Sequence, residues 1–276
     1  MKILSANGAN IPALGFGTWD LRGETCAEMV CQALETGYTH IDTAIMYDNE
    51  VQVGEGLRNS GRPRDSYFLT TKVWPTEFSE GVYQKAVENS LMRLGVDQVD
   101  LLLIHWPPHI GDVQQWAKMI NDVADRGWTK HLGVSNFTTN QIDAIVEASD
   151  RPIVCNQVEN HPFLNQTRIR EACAKHNMAL IAYCPLFRGG ELFAHETIQQ
   201  ICSETGRTPA QVVLRWHMEF EGGGAIPKTA TASRLSENLD IFDFTLSDEQ
   251  MSRINALMVR QERLCDFEFS PNWDPV

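Results

Sequence analysis

The chain has 276 residues, of which 43% are hydrophobic and 21% charged, with a formal net charge of −13. That length suits an α/β barrel, which takes about 250 residues, and the balance of residue types forms a full core and excludes a disordered chain. The negative charge argues against a broad grip on nucleic acid or anionic lipid, because neutralising phosphates takes clustered Lys and Arg.

In chain order, Met1 to Pro12 has neither the apolar core nor the small-residue cleavage site of a secretory signal, and nowhere do 18 consecutive apolar residues occur. The expected location is therefore cytoplasmic and the expected state a monomer. Asn7-Gly8 between two apolar runs predicts a small hairpin. Eight β-like apolar runs follow, at 14–17, 38–42, 66–72, 100–105, 129–135, 153–157, 179–183 and 224–227. Helical patterns lie between them at 26–36, 50–60, 81–94, 113–126, 139–148, 168–177 and 209–220. Near-continuous apolar strands alternating with helices indicate a parallel sheet covered by helices, and eight units favour a closed (β/α)8 TIM barrel over a doubly wound sheet. Leu246 to Met258 reads as an extra C-terminal helix and Asp266 to Val276 as an irregular tail. No Pro/Gly/Ser-rich linker interrupts the chain, so residues 1–276 are expected to form one domain.

Neither G-x-G-x-x-G opening a helix nor G-x-x-x-x-G-K-[ST] occurs, so a nucleotide, if bound, is held in some other way. The seven cysteines (26, 31, 155, 173, 184, 202 and 265) form no C-x-x-C and mostly have apolar neighbours, and they are read as reduced core residues.

In such a barrel, functional groups gather at the C-terminal ends of the strands. The second run ends in His40-Ile-Asp42 followed by Tyr47, the third in Lys72-Val-Trp74, and the fourth in His105-Trp106-Pro-Pro. An Asp, a Tyr, a Lys and a His then converge on one rim. The spacing His40-x-Asp42 also suits two metal ligands of a barrel hydrolase, but no second cluster completes three or four ligands, and no metal site is predicted.

With Gly17-Thr18-Trp19, Gly133-Val-Ser135-Asn136-Phe137, Asn156-Gln157-Val-Glu-Asn-His-Pro162, Ala182-Tyr183-Cys184-Pro185-Leu186 and Ile226-Pro-Lys228-Thr229 followed by Arg234 and Glu237-Asn238, the chain resembles the aldo-keto reductases along nearly its whole length. The tail sequence Ser270-Pro-Asn-Trp273-Asp is similar to that of bacterial 2,5-diketo-D-gluconate reductases that also reduce methylglyoxal. The resemblance implies an oxidoreductase that moves hydride from NADPH to an aldehyde or ketone, with small polar dicarbonyls such as 2,5-diketo-D-gluconate or methylglyoxal as substrates. It assigns a catalytic tetrad of Asp42, Tyr47, Lys72 and His105. Tyr47 is the proton donor, which must stand within about 2.6 to 3.2 Å of the carbonyl oxygen. A phenol is a weak acid at neutral pH, so Lys72 is expected to draw its pKa down, while Asp42 pairs with the ammonium and His105 orients the substrate.

The same resemblance assigns the cofactor to Gly17, Thr18, Trp19, Asp42, Ser135, Asn136, Gln157, Tyr183, Cys184, Pro185, Leu186, Lys228, Thr229, Arg234, Glu237 and Asn238. Ser135, Asn136 and Gln157 hold the nicotinamide carboxamide and Tyr183 stacks on its ring. Ser135-Asn136 could instead cap the helix that begins at Thr139. Lys228 and Arg234 beside a strand-to-helix turn form a pocket for a 2′-phosphate, which favours NADPH over NADH. Trp19, Trp74 and Trp106 join Tyr47 and His105 as substrate-lining groups. The short connection from Pro107 to Val113 points to an open substrate site. Departures from the family pattern fall at Asn160, where Tyr is common, and at Phe187-Arg-Gly-Gly190, where Leu-Gly-x-Gly is commoner. A regulatory barrel that binds NADPH without turnover of its own is the alternative; the charged helix faces argue against the apolar partner surface it needs.

Overall fold

In the computed structural model, which describes residues 2–275, the chain opens with an antiparallel hairpin of β1 (Ile3–Ala6) and β2 (Ala9–Pro12). Its turn needs positive φ at both central positions, and Asn7 (46°) and Gly8 (87°) adopt it readily. Asn7 Nδ2 donates to the carbonyls of Ile153 (2.8 Å) and His176 (2.9 Å), while Lys2 Nζ donates to those of Met218 and Phe220, so the hairpin is fastened across one end of the molecule. Met1 and Val276, the outer limits of the predicted domain and tail, lie outside the described residues.

The main body follows the predicted alternation. The strands are β3 (Phe16–Gly17), β4 (His40–Asp42), β5 (Phe68–Val73), β6 (Val99–Ile104), β7 (Thr129–Ser135), β8 (Ile153–Glu159), β9 (Ala179–Tyr183) and β10 (Gly223–Ala225). The helices are α1 (Gly23–Thr36), α2 (Glu50–Asn59), α3 (Val82–Leu94), α4 (Val113–Asp125), α5 (Thr139–Ala148), α6 (Thr167–Lys175), α7 (Gly190–Ala194), α8 (Glu196–Thr205), α9 (Pro209–Glu219), α10 (Ser233–Leu239) and α11 (Asp248–Asn255). Strands β3 to β10 lie side by side in chain order and pair in parallel. Leu14 bridges Ala225, and the amides of Gly15, Gly17 and Ala225 bond to Ala225, Pro227 and Ala13, so the first strand meets the last and the sheet closes into a (β/α)8 barrel.

Residues of β5, β6 and β8 are buried throughout, as strands covered on both faces must be. Helix starts follow from local chemistry. Thr208 and Gln211 bond reciprocally at the head of α9, with Pro209 in the first turn, and Ser247 with Gln250 does the same for α11. A second apolar cluster under α8, α9 and α11 contains Phe163, Ile198, Ile201, Trp216 and Leu257. The sequence reading passed over α7 and α8, because only Ile198 and Ile201 of α8 are buried and its apolar periodicity is thin. Among the described residues no helix is long and apolar enough to cross a membrane.

Closure depends on a missing side chain. A Cβ at Gly17 would stand 2.8 Å from the carbonyl oxygen of Ile226, a backbone atom that cannot move without opening the seam between β3 and the end of β10. Gly17→Ala is therefore expected to lower the unfolding free energy by about 1–3 kcal/mol, measured by urea denaturation; an unchanged midpoint and slope would show that the seam yields freely.

Candidate active site

The end of β4 and the end of β5 carry the centre of the site. Asp42 is in register with Thr70, so Lys72, two residues on, shares the face of Thr70 that looks into the barrel. Lys72 is wholly buried and its ammonium forms an ion pair with Asp42 Oδ1. It also donates to Thr43 O (2.8 Å) and to the Tyr47 hydroxyl (3.3 Å), and lies 4.9 Å from the centre of the Tyr47 ring. Gln157 Nε2, from β8, donates to the second Asp42 oxygen at 2.8 Å. Both carboxylate oxygens are thus partnered, which is what lets an ion pair survive away from water.

Tyr47 and His105 face one another edge to face, with ring centres 5.6 Å apart. Trp19 packs edge-on against Tyr47 at 5.0 Å and Trp74 against His105 at 5.1 Å. Burial, and secondarily the Asp42 carboxylate, push the Tyr47 phenol well above its ordinary value. The expected lowering by Lys72 is therefore not what results: burial is the largest influence, and it raises the phenol. Burial, offset by Asp42, draws Lys72 down. Burial and the Lys72 charge hold His105 well below the ordinary histidine value, so its imidazole is neutral, and its Nδ1 is buried without a hydrogen-bond partner.

The tetrad residues predicted from sequence therefore stand together. The predicted carboxamide-binding residues form a network of their own: Ser135 Oγ donates to Gln157 O (2.8 Å), Asn136 Nδ2 donates to His105 O (3.1 Å), and the Tyr183 hydroxyl donates to Asn136 Oδ1 (2.8 Å). Ser135 and Asn136 do not cap α5; Thr138 occupies that position with Gln141. Thr18 donates through both its amide and its hydroxyl to Asp42 O, and Gly17 lies in the seam. Cys184 has a left-handed backbone, Pro185 O accepts from His217, and Leu186 packs against the core. Thr229 and Asn238 are buried, Glu237 is half-buried, and Lys228 and Arg234 are exposed on the turn from β10 to α10.

Two expectations need correction. Trp106 is 5% exposed and packs under Phe267, Phe269 and Trp273 of the tail, so the mouth is walled by tail aromatics and is less open than the short 107–113 connection suggested. Of the seven cysteines, only Cys26, Cys155 and Cys173 are buried; the other four are partly exposed. The tail itself is anchored: Asp274 accepts from Thr139 N (2.9 Å) and Thr139 Oγ1 (2.7 Å), and Phe269 packs on Trp74 at 5.5 Å.

Sequence reasoning missed several supports. Asn49 Nδ2 donates to the carbonyls of Thr18 and Leu21 and its Oδ1 accepts from Thr43, while Arg22 donates to Tyr47 O at 2.8 Å. Glu50 is buried and tied to Thr71, Ser90 and Arg93. The adjacent polar pair Asn49-Glu50, so soon after Tyr47, was the available signal. Both ring nitrogens of His40 are engaged, with Pro12 O and Thr70 Oγ1, and both oxygens of Asp42 are engaged as above, so the His40-x-Asp42 spacing serves packing of the barrel interior.

A family model described as the Aldo/keto reductase family matches residues 13–259. An aldo-keto reductase of Mycolicibacterium smegmatis is 38% identical over 257 residues, 93% of each chain. A 9,11-endoperoxide prostaglandin H2 reductase of Trypanosoma cruzi is 38% identical over 255 residues, 91% of this chain and 89% of that protein. A crystal structure provisionally described as a 2,5-diketo-D-gluconic acid reductase B superposes with a TM-score of 0.96 at 39% identity, covering 100% of this chain and 98% of the other.

Two outcomes are expected from the site's electrostatics. Lys72→Met strands Asp42 as a buried charge and is expected to destabilise the fold by about 3–5 kcal/mol, whereas the double variant Asp42→Asn/Lys72→Met recovers much of that loss in a denaturation cycle. Burial also lowers the pKa values of His40, His105 and His217, the last to about 3. The unfolded chain takes up these protons near pH 6.5 while the folded chain does not. Stability is therefore lost as pH falls below about 6.5, by up to roughly 1.4 kcal/mol per pH unit for each histidine, and His217 goes on contributing until about pH 3. Urea titrations at a series of pH values check the slope, which should become shallower in His217→Gln.

Proposed function

The chain belongs to the aldo/keto reductase family of carbonyl-reducing oxidoreductases, and from that premise we propose that it is an NADPH-dependent reductase in which Tyr47 is the general acid. The observation that carries the reading is the buried Lys72 ammonium, held by Asp42 and Thr43 O and lying 3.3 Å from the Tyr47 hydroxyl.

When bound, the nicotinamide nucleotide supplies the hydride. Ser135, Asn136 and Gln157 provide amide and hydroxyl groups for its carboxamide, and the half-buried ring of Tyr183 provides an apolar face. The buried amide network suits a neutral, planar, hydrogen-bonding group better than a charged one. Lys228 and Arg234, exposed cations in a chain of net charge −13, suit the 2′-phosphate that distinguishes NADPH from NADH.

The raised pKa of Tyr47 keeps its proton on the phenol at neutral pH, so the donor is loaded before reaction. As negative charge develops on the carbonyl oxygen, the phenol releases its proton beside Lys72, whose ammonium then stabilises the phenolate. Asp42 and Thr43 O keep that ammonium in place. His105 is neutral and can donate a hydrogen bond to the carbonyl without bringing a second charge. Trp19, Trp74 and the tail residue Phe269 frame Tyr47 and His105 with flat apolar walls and exclude water. Small polar dicarbonyls such as 2,5-diketo-D-gluconate or methylglyoxal are the proposed substrates, supported by the similarity to the provisionally described 2,5-diketo-D-gluconic acid reductase B.

Loss of NADPH absorbance with methylglyoxal and with 2,5-diketo-D-gluconate tests the reading. Tyr47→Phe is expected to lower kcat by about 10²–10⁴-fold while leaving the Kd for NADPH unchanged. Arg234→Gln is expected to weaken NADPH by roughly 10- to 100-fold, the loss of a charge-assisted contact, and to leave NADH binding alone. A Tyr47→Phe enzyme as fast as the wild type removes the proton-donor role.

A further inference from the structure

A cavity of about 530 Å³ opens on the face of the barrel opposite the catalytic rim. It lies between the C-terminal ends of α2 and α3 and the N-terminal ends of β5, β6 and β7, and none of the residues assigned above to catalysis, cofactor or substrate lines it. Its volume falls within the roughly 300–1,000 Å³ of small-molecule sites. Leu57, Leu94 and the ring of Tyr67, all buried, form an apolar floor. Arg64 fixes one wall. Its guanidinium donates to Tyr67 O (3.0 Å) and Gln98 O (2.8 Å), pairs with Asp100 at 2.7 Å and stands 5.1 Å from the centre of the Tyr67 ring. Lys130 reaches the other Asp100 oxygen at 2.7 Å, so one buried carboxylate is shared by two cations.

Arg58 and Arg62 also line the cavity, and they are not spoken for. Both are exposed, and among the described residues neither guanidinium has an ion pair or a hydrogen bond. Arg58 is nonetheless placed: Gly95, with φ of 70°, leaves room for its Nη1, which a Cβ at that position would meet at 2.7 Å. Cations at helix C-termini commonly serve the last carbonyls of the helix. Here backbone and serine groups already do so. Gly95 N and Val96 N close α3 onto Leu91 O and Met92 O, while Ser60 N, Ser60 Oγ and Gly61 N close α2 onto Gly56 O, Leu57 O and Arg58 O. Four cations therefore face the cavity against the exposed carboxylates of Asp65 and Asp97. The balance stays positive when Asp100 is counted, in a chain of net charge −13.

We propose that this cavity is a second ligand site, one that takes the phosphate monoester of a small polyol or sugar. The free guanidinium forks of Arg58 and Arg62 bind the phosphate oxygens through paired, charge-assisted hydrogen bonds. Asp65, Asp97 and the Tyr67 hydroxyl, which bonds to no group among the described residues, receive the ligand's hydroxyls. Leu57 and Leu94 carry its carbon skeleton. Carboxylates set beside the arginines repel a bare polyanion and accept from hydroxyl donors, so the lining favours a ligand with one phosphate and several hydroxyls.

Titration calorimetry of the full chain with sorbitol 6-phosphate, with inorganic phosphate and with sorbitol tests the assignment. Sorbitol 6-phosphate is expected to bind most tightly, inorganic phosphate more weakly and sorbitol weakest. Arg58→Gln/Arg62→Gln is expected to raise the Kd for sorbitol 6-phosphate by at least about tenfold, the loss of a charge-assisted contact. Arg234→Gln, in the proposed cofactor pocket, is expected to leave that Kd unchanged. Because both substituted arginines are exposed, the urea midpoint of the double variant should stay at the wild-type value. An absence of heat with sorbitol 6-phosphate at millimolar concentration, equal affinity in the double variant, or a phosphate ester bound no more tightly than inorganic phosphate overturns the proposal. So does loss of binding in Arg234→Gln. The titrations contain neither nicotinamide nucleotide nor a carbonyl compound, so they stand apart from the test of the reductase reading.

Discussion

A buried ion pair sets the terms for the rest of this molecule. Lys72 and Asp42 are out of contact with water, and such a pair is stable only if its remaining hydrogen-bonding capacity is filled with good geometry. Thr43 O, the Tyr47 hydroxyl and the Gln157 amide fill it. Those partners come from the ends of β4 and β8 and from the loop after β4, so satisfying one charge fixes the positions of three strand ends. The rim is a consequence of charge accounting inside the barrel as much as of apolar packing around it.

The same arrangement leaves both Tyr47 and His105 uncharged. Burial alone moves Tyr47 and His105 in opposite directions, the phenol up and the imidazole down, and each ends in its uncharged form. The single cation among them is anchored by the single carboxylate. The rim therefore carries one compensated charge, its ammonium shared among Asp42, Thr43 O and the Tyr47 hydroxyl.

Much of this was legible in the sequence, and the physical reasons differ by region. Strands covered on both faces read as apolar runs, and two of the eight, 129–135 and 179–183, have the predicted bounds. The convergence of Asp42, Tyr47, Lys72 and His105 was legible because barrel topology sends strand ends to one rim. The tail was not. Its aromatic residues contact Trp74 and Trp106 across well over a hundred residues of sequence, and an irregular segment has no periodicity from which contacts can be inferred. Glu159 was hidden for a similar reason, since its partners Leu264 and Cys265 offer only backbone amides. The departure at Phe187-Arg-Gly-Gly190 has a visible physical form: Phe187 and Arg188 adopt φ of 49° and 58°, a region that suits glycine, and Arg188 stands where the family commonly has one.

The amino-terminal hairpin bears on how the chain is made. Its fastenings are to Ile153, His176, Met218 and Phe220, and the strand that follows it closes against Ala225. During synthesis, which proceeds toward the carboxyl terminus, the hairpin residues emerge before any of those partners exist. The fastenings are complete only once the chain through Ala225 has been made, so this segment settles long after its own synthesis, and the nascent barrel carries an open edge through most of its translation.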